Sequence, residues 1–556
     1  MKKIDNSAIS KYSAFKGIEL KNRTWPTKQI AKAPIWCSVD LRDGNQALIE
    51  PMGVERKLRF FSMLIDLGFK EIEIGFPSAS ETEFSFVRKL IEENLIPSDV
   101  KIQVLSQARD HLIKKTFEST QGAKNVIFHL YNSTSTLQRE VVFKKDKAGI
   151  TKIATEGAEL VKKLSEEYKE TNWQFEYSPE SFTGTELEYA VEVCDEVNKI
   201  WHKGSKNKTI INLPATVELS SPNIYADQIQ WMNENLRNRD DIILSLHPHN
   251  DRGTAVAAAE LGIMAGADRI EGTLFGNGER TGNVDIVTLG LNLFTQGVDP
   301  LLDFSDINKT MREVEYCNQL PVHPRHPYTG DLVFTAFSGS HQDAIKKGFD
   351  EMRNTNESKW RVPYLPIDPE DVGRTYEAVI RINSQSGKGG ISYILEQDYG
   401  ISLPRRMQID FSQVIQKQAD ESGKELDSKE IWKSFEANYL SSDSKKIKYN
   451  SHEIYSSKVE DKIKLSLFEE EKELSIEGAG NGPIDAFINA LNSHLSSDFK
   501  VSDYHQHSIS SGSDASAVAY IEIQNKSASD WGAGIDPNTT VASYKAILNC
   551  LNKILS

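Results

Sequence analysis

The sequence predicts an α/β protein that begins with a (β/α)₈ TIM barrel, continues through small helical connecting subdomains and ends in an α+β domain with a duplicated βββα unit. Three observations lead to this prediction. Eight short β-branched runs alternate with amphipathic helical stretches between residues 35 and 296, Pro-rich charged sequence without this alternation follows, and a glycine motif occurs twice near the end. The predicted boundaries are 1–34 for an N-terminal extension, 35–306 for the barrel, 307–440 for the connecting subdomains and 451–556 for the last domain.

The barrel prediction rests on eight βα units within about 260 residues, the usual size of a closed eight-stranded barrel. Each predicted strand precedes a helix, such as Val54–Leu67 or Lys152–Tyr168. The predicted strands are Ile35–Asp40, Glu71–Gly75, Ile102–Ser106, Asn125–Leu130, Trp173–Tyr177, Thr209–Leu213, Ile242–Leu246 and Arg269–Leu274.

The connecting region is predicted from its composition. Runs such as VHPRHPYTG and RVPYLPIDPEDVG favour irregular chain with one or two small helices. Helices are predicted again near Phe411–Ser422 and Ser428–Tyr439. The low-complexity run SSDSKKIKYNS then predicts a linker into the final domain.

The final domain contains an internal repeat, GAGNGP at 478–483 and GAGIDP at 532–537, each between strand-like sequence and a predicted helix. Gly478, Gly480, Gly532 and Gly534 suit a tight turn and the close approach of backbone to another group. They are therefore candidates for effector-binding loops, and two glycine turns without a ligand are the alternative interpretation. Neither repeat has the G-x-G-x-x-G spacing of a dinucleotide-binding loop.

Composition favours a small-molecule role. The 556 residues include 65 Lys+Arg and 80 Asp+Glu, and the resulting formal charge of −15 disfavours binding to nucleic acid or to anionic membranes. The N-terminus lacks an apolar signal region, and the apolar stretch from Ala255 to Ala267 is too short to span a bilayer. We therefore expect a cytoplasmic protein. The four cysteines form no C-x-x-C pair and are expected to be reduced thiols.

Polar residues are concentrated where the predicted strands end. Catalytic groups of (β/α)₈ barrels gather at the carboxyl ends of the strands, so these positions are the candidates for chemistry. They are Arg42 and Asp43 after strand 1, His129 in strand 4, Ser178 and Glu180 after strand 5, Thr216 and Glu218 after strand 6, and His247 and His249 after strand 7.

The H-x-H pair of strand 7 indicates a metal site. His247 and His249 are two residues apart, and the period of two in a strand directs both rings to one face. Asp43 is brought close when the barrel closes and supplies an oxygen ligand. Asn283, after the glycine-rich turn GNGERTGN, offers a fourth ligand. The alternative is a pair of ordinary, hydrogen-bonded histidines.

Arg42, Glu180 and Glu218 are candidates for the remaining chemistry. A guanidinium beside a metal-bound carbonyl stabilises developing negative charge, although an arginine next to an acid is more often a structural ion pair. Glu180 and Glu218 are candidates for proton transfer or for orienting a base, and solvated loop acids are the alternative.

Six motifs carry a resemblance to a known family. They are SVDLRDGNQAL (38–48), EIGFPSAS (73–80), YSPESFTGTE (177–186), LPATVE (213–218), HPHNDRGTA (247–255) and GNGERTGN (276–283). Together they resemble the DRE-TIM metallolyases, and within them the long form of the 2-isopropylmalate synthases. The segments RHPYTGDLVFTAFSGSHQDAI (325–345) and DVGRTYEAVIRINSQSGKGG (371–390) are similar to that long form, so the likeness extends from about Trp25 to the end of the chain.

The resemblance implies roles for individual residues. Asp43, His247, His249 and Asn283 are expected around a divalent metal, Mg²⁺, Mn²⁺ or Zn²⁺, with Arg42 at the carbonyl of the substrate. Pocket positions are expected at Leu105, His129, Ser178 and Thr216. His341 and Tyr376 are expected to reach the active site of the partner subunit, which makes the protein a homodimer. Without the resemblance, a surface position would be the preferred interpretation of His341.

The implied reaction is the condensation of acetyl-CoA with 2-oxoisovalerate followed by thioester hydrolysis, the first committed step of leucine biosynthesis. Glu180 acting with His341, assisted by Tyr376, is the candidate base. The last domain is expected to bind leucine as a feedback inhibitor. Two alternatives remain: a homocitrate or citramalate synthase-like enzyme on the same barrel, and a catalytically silent protein that senses an amino acid through the C-terminal repeat.

Overall fold

Eight parallel strands form a closed barrel in the first part of the chain, in the order β1 to β8 with β1 paired to β8. The computed structural model describes residues 9–202, 207–336, 338–355, 358–374, 388–422, 426, 428–440, 446–457, 460–469, 472–509, 515–525 and 529–555. The strands are β1 Ile35–Ser38, β2 Glu71–Gly75, β3 Lys101–Gln107, β4 Asn125–Ser133, β5 Asn172–Glu180, β6 Thr209–Ala215, β7 Ile242–Pro248 and β8 Arg269–Gly272. The predicted barrel is therefore confirmed.

A helix follows each strand. These helices are α1 Val54–Asp66, α2 Glu81–Glu92, α3 Asp110–Thr120, α4 Lys147–Glu167, α5 Leu187–His202, α6 Pro222–Asn235, α7 Ala255–Met264 and α8 Ile286–Thr295. The strands are buried along most of their length, and every residue of β2 and β6 is buried. Burial on both sides explains why these strands appear in the sequence as short apolar runs.

Two predicted strand ends are wrong. The sequence predicts strand through Asp40 and through Leu274, but β1 ends at Ser38 and β8 ends at Gly272. The carboxylate of Asp40 accepts from the hydroxyl of Ser38 at 2.8 Å and from the backbone N–H of Leu274 at 3.0 Å. These bonds turn the chain out of both strands and begin the π-helical turn Asp40–Gly44.

The chain divides into two units: one contains Met1–Val333 with Ile367–Thr375, and the other contains Phe334–Pro366 with Tyr376–Ser556. The first unit ends with helix α9 Ile307–Asn318 and a short 3₁₀ turn, Pro369–Val372. The described helices between the barrel and the last strands are α10 Gly339–Thr355, α11 Lys388–Tyr399, α12 Arg405–Ser422 and α13 Ser428–Phe435. Within the described part of the chain, no helix has the length and apolar character needed to cross a membrane.

The last part of the second unit consists of two antiparallel three-stranded sheets with one long helix each, which confirms the duplicated βββα unit. The first copy comprises β9 Ile447–Ser456, β10 Asp461–Glu469, β11 Lys472–Gly480 and α14 Pro483–Leu495. The second comprises β12 Lys500–Ser508, β13 Ala517–Gln524, β14 Ser529–Asp536 and α15 Thr539–Ile554.

The predicted linker is too long. It extends through residue 451, but β9 already begins at Ile447. Ile447 is buried, and its backbone N–H and C=O both bond the side chain of Asn552, at 3.0 and 2.8 Å. The small apolar content of this run concealed a strand that is fixed by a helix more than a hundred residues later.

The repeated glycines lie in strands and not in turns, so the turn prediction is wrong. Gly478 and Gly480 belong to β11, and Gly532 and Gly534 belong to β14. A Cβ at Gly478 would lie 2.4 Å from the backbone oxygen of Ala486 in α14, and each of the other three glycines is equally close to helix backbone. The expected close approach of backbone is therefore present, and the group that approaches is the helix of the same repeat.

The second sheet is covered on both faces. Ala519, Ile521 and Ile523 of β13 contribute to the core with α14 and α15. Val518 and Tyr520 of the same strand point into another apolar cluster, which is formed with residues of α11, α12 and α13. The connecting helices and the second repeat thus share a core.

Candidate active site

A cavity of about 340 Å³ opens at the carboxyl ends of the barrel strands. Residues at the end of each of the eight strands, or in the loop that follows it, meet there, as barrel closure predicts. The predicted residues that line it are Arg42, Asp43, Leu105, His129, Ser178, Glu180, Thr216, His247 and His249.

Sequence reasoning missed several residues of the lining: Gln46, Phe76, Tyr131, Asn212, Pro214, Glu279 and Arg280. The period of two along a strand is a signal that could have found some of them. Tyr131 follows His129 by two residues, and Asn212 and Pro214 are two residues apart on β6. Extending the alternation from one identified residue per strand would have added these side chains.

Asp43, His247 and His249 form a compact group of possible metal ligands. One ligand atom from each lies within 4.8 Å of the other two, and all three residues are buried. Nε2 of His247 is 3.6 Å and Nε2 of His249 is 3.7 Å from Oδ2 of Asp43. The spacing leaves room for one ion between two imidazoles and a carboxylate.

The orientation of His247 is set by a second carboxylate. Its Nδ1 lies 2.8 Å from Oε2 of Glu271, a residue of β8 that the sequence prediction did not single out. Burial alone would lower the pKa of His247, but hydrogen bonds and charges from Asp43 and Glu271 outweigh it and raise the pKa to about 9. In metal sites a carboxylate on one ring nitrogen commonly directs the other nitrogen towards the ion.

Asn283 provides a test of whether the site fits a metal. Its backbone pairs with that of His249, and its Nδ2 donates to Oδ2 of Asp43 at 2.8 Å. Its carboxamide oxygen is buried and bonds no group of the described chain. A buried oxygen without a partner, beside two imidazoles and a carboxylate, fits the coordination of a divalent ion.

Arg42 connects the ligand group to a buried acid. Its Nε donates to Glu73 and its NH1 donates to Asp43, both at 2.5 Å. Burial opposes ionisation of Asp43, but Arg42 and the two histidines outweigh it and keep the pKa of the carboxyl well below its usual range. Arg42 is therefore both ion-paired and part of the cavity wall. A structural ion pair and a guanidinium that faces the substrate are thus compatible interpretations of this residue.

His129 and Ser178 belong to one hydrogen-bonded chain at the floor of the cavity. Nδ1 of His129 lies 2.7 Å from Glu73, and its Nε2 lies 2.7 Å from the hydroxyl of Ser178. Nδ2 of Asn212 also donates to that hydroxyl, at 3.0 Å. The floor is thus polar, and hydrogen bonds among its own side chains hold them in place before any substrate enters.

A second group of possible ligands, His129, Glu176 and Glu271, lies below the first. The fully buried guanidinium of Arg269 occupies this region, with NH1 2.8 Å from Glu271 and 3.4 Å from Glu176. Burial and the charge of Glu271 raise the pKa of Glu176 well above its usual value. Because a buried guanidinium already pairs with these carboxyl groups and would repel a cation, we assign this cluster to structural support of the site above it and not to metal binding.

Glu180 lies in the cavity wall, and its carboxylate is held by neighbouring loops. It accepts from the hydroxyl of Ser133 and from Nε2 of Gln138, the latter at 3.5 Å. The hydroxyl of Thr216 accepts from the backbone N–H of Ser181 at 2.9 Å, which fixes the next residue of the β5 loop. Glu180 is therefore placed at the mouth as a restrained carboxylate.

Glu218 is not part of the lining. Its carboxylate accepts from the backbone N–H of Arg252 at 2.5 Å and from the hydroxyl of Thr254, and its own N–H donates to Asp251 at 2.9 Å. These bonds join the loop after β6 to the turn before α7. The geometry favours a structural role for Glu218 over proton transfer.

The two residues expected from the other subunit are not in the barrel unit. His341 lies in the first turn of α10 in the second unit, with its side chain exposed. Tyr376 lies outside the described residues.

Comparisons with known proteins cover almost the whole chain. The HMGL-like family model matches residues 33–314, the model "Alpha-isopropylmalate synthase, post-catalytic domain-like" matches 331–396, and the model "LeuA allosteric (dimerisation) domain" matches 425–555. The barrel, with its buried group of possible Asp and His ligands, thus places the chain in the metal-dependent HMGL-like class of enzymes.

Curated relatives give the particular family. A 2-isopropylmalate synthase from Parvibaculum lavamentivorans is 58% identical over 98% of this chain and 96% of its own, and one from Mesorhizobium japonicum is 56% identical over 99% of each chain. Among solved structures, a hydroxymethylglutaryl-CoA lyase from Pseudomonas aeruginosa aligns with 53% of this chain and 96% of that chain at 16% identity and a TM-score of 0.44. The chain belongs to the 2-isopropylmalate synthase family and is an acyltransferase-type condensing enzyme of leucine biosynthesis.

Proposed function

We propose that this chain condenses acetyl-CoA with 2-oxoisovalerate and hydrolyses the resulting thioester, which releases 2-isopropylmalate and CoA. The observation that supports this most directly is the buried group of Asp43, His247 and His249 beside Arg42 in the cavity that opens at the barrel mouth. This arrangement suits a small 2-oxo acid that presents a carboxylate and a ketone oxygen together.

Asp43, His247 and His249 would hold a divalent ion, Mg²⁺, Mn²⁺ or Zn²⁺, and Asn283 would complete the set with its unpaired oxygen. When bound, the ion supplies Lewis-acid polarisation of the substrate ketone. Glu271 contributes by holding the ring of His247. The short backbone pairing between His249 and Asn283 keeps those two proposed ligands adjacent.

Arg42 would stabilise the negative charge that develops on the ketone oxygen. Its guanidinium is fixed by Glu73 and Asp43, so no reorganisation is needed when the charge appears. A preorganised cation in a buried site contributes more than the same cation in water. The ion pairs that fix Arg42 are therefore part of its catalytic role.

Glu180 with His341, assisted by Tyr376, is the proposed base. The base takes a proton from the methyl group of acetyl-CoA, and the enolate carbon bonds to the ketone carbon, whose oxygen takes the negative charge and then becomes a hydroxyl by receiving a proton from the protonated base. Water then cleaves the thioester C–S bond, giving a carboxylate and the thiol of CoA. Hydrogen bonds from Ser133 and Gln138 hold the Glu180 carboxylate at the mouth where this transfer has to occur.

The charges of the cavity wall favour a 2-oxo acid with an apolar side chain. Among the described lining residues, the permanently charged cations are Arg42 and Arg280, and both have anionic partners: Arg280 bonds Asp251 at 2.7 Å. The distal carboxylate of 2-oxoglutarate would therefore meet no unpaired cation there. Leu105, buried in the wall, provides apolar contact for an isopropyl group.

We further propose that the protein works as a homodimer in which His341 and Tyr376 of one subunit serve the barrel of the other. The match to a dimerisation domain over residues 425–555 and the exposure of His341 outside the barrel unit support this. Acetyl-CoA is the proposed co-substrate of each barrel.

Leucine is the proposed inhibitor, bound by the duplicated βββα domain. The family model for that region supports an allosteric role. The four repeat glycines would act by allowing the strands and helices to pack closely, because their Cα atoms face helix backbone. Inhibition should therefore persist at saturating 2-oxoisovalerate, since a separate site is not displaced by substrate. Complete relief by 2-oxoisovalerate would place leucine in the barrel instead.

The test of the reaction is a thiol-release assay with acetyl-CoA and a panel of 2-oxo acids. We expect the highest kcat/KM with 2-oxoisovalerate and much lower values with pyruvate and 2-oxoglutarate. The reaction should require added divalent ion after chelation. A preference for 2-oxoglutarate or pyruvate would assign the chain to homocitrate or citramalate synthesis. Absence of thiol release with every acid, in a folded metal-loaded protein, would contradict an enzymatic role.

A further inference from the structure

An exposed pair of stacked rings stands at the start of α10. The imidazole of His341 and the phenol ring of Tyr364 have centroids 4.0 Å apart and planes inclined by 26°. Both side chains are exposed, and 62% of Tyr364 is accessible. Tyr455 is exposed to the same extent, so exposure alone does not distinguish Tyr364; what distinguishes it is the stack with the imidazole of His341.

The backbone of Tyr364 is strained. Its φ angle is +64°, in the left-handed region that bulky side chains rarely adopt. Such a conformation persists only where the surrounding structure imposes it, and it is often found at functional sites.

The surrounding loop supplies that constraint. Val362 and Leu365, on either side of Pro363 and Tyr364, are buried. The indole Nε1 of Trp360 donates to the backbone oxygen of Leu365 at 2.8 Å, which closes the loop on itself. Tyr364 thus lies at the tip of a loop that is anchored at both ends.

Helix α10 fixes the same loop from the other side. A Cβ at Gly348 would lie 2.5 Å from Cδ of Pro363, so only glycine allows the loop to lie so close to the helix. Gly348 is seven residues after His341 and therefore lies on the same helical face. The loop packs on that face and places the ring of Tyr364 over the imidazole two turns earlier.

We infer that Tyr364 is a positioning residue that holds the imidazole of His341 in one orientation for proton transfer. This inference rests on the proposed role of His341. An exposed histidine without such a neighbour would exchange among rotamers, and a displacement of about 1 Å from the reacting atoms costs about 10²-fold in rate. The anchored loop holds the ring of Tyr364 against the imidazole, so His341 is oriented before it meets a substrate.

The test uses Tyr364→Gly, which removes the ring and relieves the left-handed strain, and Tyr364→Asn, which removes the ring but tolerates that backbone. We expect both proteins to unfold at temperatures no lower than wild type. Their kcat should fall about 10- to 100-fold, with KM for 2-oxoisovalerate unchanged, because substrate binding lies in the barrel unit. Tyr364→Phe keeps the stack and should restore most of kcat. Tyr455→Ala, which removes an equally exposed tyrosine of the second unit, is the matched control and should leave kcat unchanged.

A double-mutant cycle with His341→Ala separates this inference from the proposed function. If Tyr364 acts through His341, adding Tyr364→Gly to His341→Ala should cause no further loss of the residual kcat that His341→Ala retains, measured at high enzyme concentration. Wild-type kcat in Tyr364→Gly and Tyr364→Asn, with a strongly reduced kcat in His341→Ala, would overturn the positioning role and leave the role of His341 intact. Wild-type kcat in His341→Ala would overturn the proposed function of that residue, and the inference with it.

Discussion

His247 and His341 show how differently the two units of the chain prepare a histidine. His247 is buried, its Nδ1 is bonded to Glu271, and its pKa is raised by fixed neighbours. His341 is exposed and is restrained by one aromatic ring on an anchored loop. The barrel thus builds a rigid electrostatic site when it folds, whereas the second unit presents an exposed imidazole, the one we propose as part of the base.

The largest effect on activity is expected when a proposed metal ligand of the barrel is removed. His249→Ala should reduce metal-dependent thiol release to background with little change in unfolding temperature, because its Nδ1 bonds no group of the described chain. Asp43→Ala and His247→Ala should be equally inactive. His247→Ala should also lose about 1–3 kcal/mol of stability, since Glu271 loses a buried partner.

The control for these ligand variants is His111→Ala, which removes an exposed histidine of α3. Activity should be measured after chelation and again after metal is added back. Turnover near the wild-type rate in chelated His249→Ala would remove this residue from the metal site.

A smaller effect on activity is expected when His247 is kept but the carboxylate that holds its ring is changed. Glu271→Gln should weaken metal affinity about 10- to 100-fold because it no longer holds His247 as a carboxylate. Glu71→Gln is the matched control: Glu71 also accepts from Arg269, at 2.7 Å, but does not bond His247. Metal affinity can be measured by competition with a chelating dye. Equal losses in both variants would mean that the Arg269 network, and not the contact with His247, sets the affinity.

The smallest expected effect is a loss of stability in the second unit, without a change in the barrel site. In Gly532→Ala a methyl group would lie 2.2 Å from the backbone oxygen of Ala546, so α15 must move, at a cost of about 1–3 kcal/mol. Gly482→Ala, where nothing lies within 4 Å of the new Cβ, should be nearly neutral. Denaturant unfolding measures both, and metal affinity should stay unchanged. Equal stabilities of the two variants would contradict the close helix packing.

Much of the barrel site could be predicted because simple rules act there. The period of two put His247 and His249 on one face, and the closure of eight βα units brought Asp43 to them. The buried partners behind them, Glu271 and Arg269, could not be found in this way. Which inward-facing polar residues meet across a barrel depends on strand stagger, and one sequence does not reveal it.

The C-terminal repeat was harder to predict, because its close contacts join residues that are far apart in the sequence. Gly478 and Gly532 were recognised as positions of close approach, but the approaching group was misjudged, because a glycine pattern does not identify its neighbour. Ile447 was assigned to a linker since its strand is fixed by Asn552, far along the chain. The expected role of His341 came from family resemblance alone, and the strained loop that places Tyr364 over it has no counterpart in any local sequence pattern.

Subunit exchange between two inactive variants tests most directly whether the rigid barrel site and His341 of the partner subunit form one active site. Asp43→Ala lacks one proposed metal ligand of its barrel, and His341→Ala lacks the imidazole of the proposed base. Random mixing makes half of the dimers hybrids, and each hybrid would contain one complete site of two, so about a quarter of wild-type activity should return. Hybrid formation can be followed with differently tagged chains. Hybrids that form but remain inactive would contradict the account, because His341 would then serve its own barrel or none.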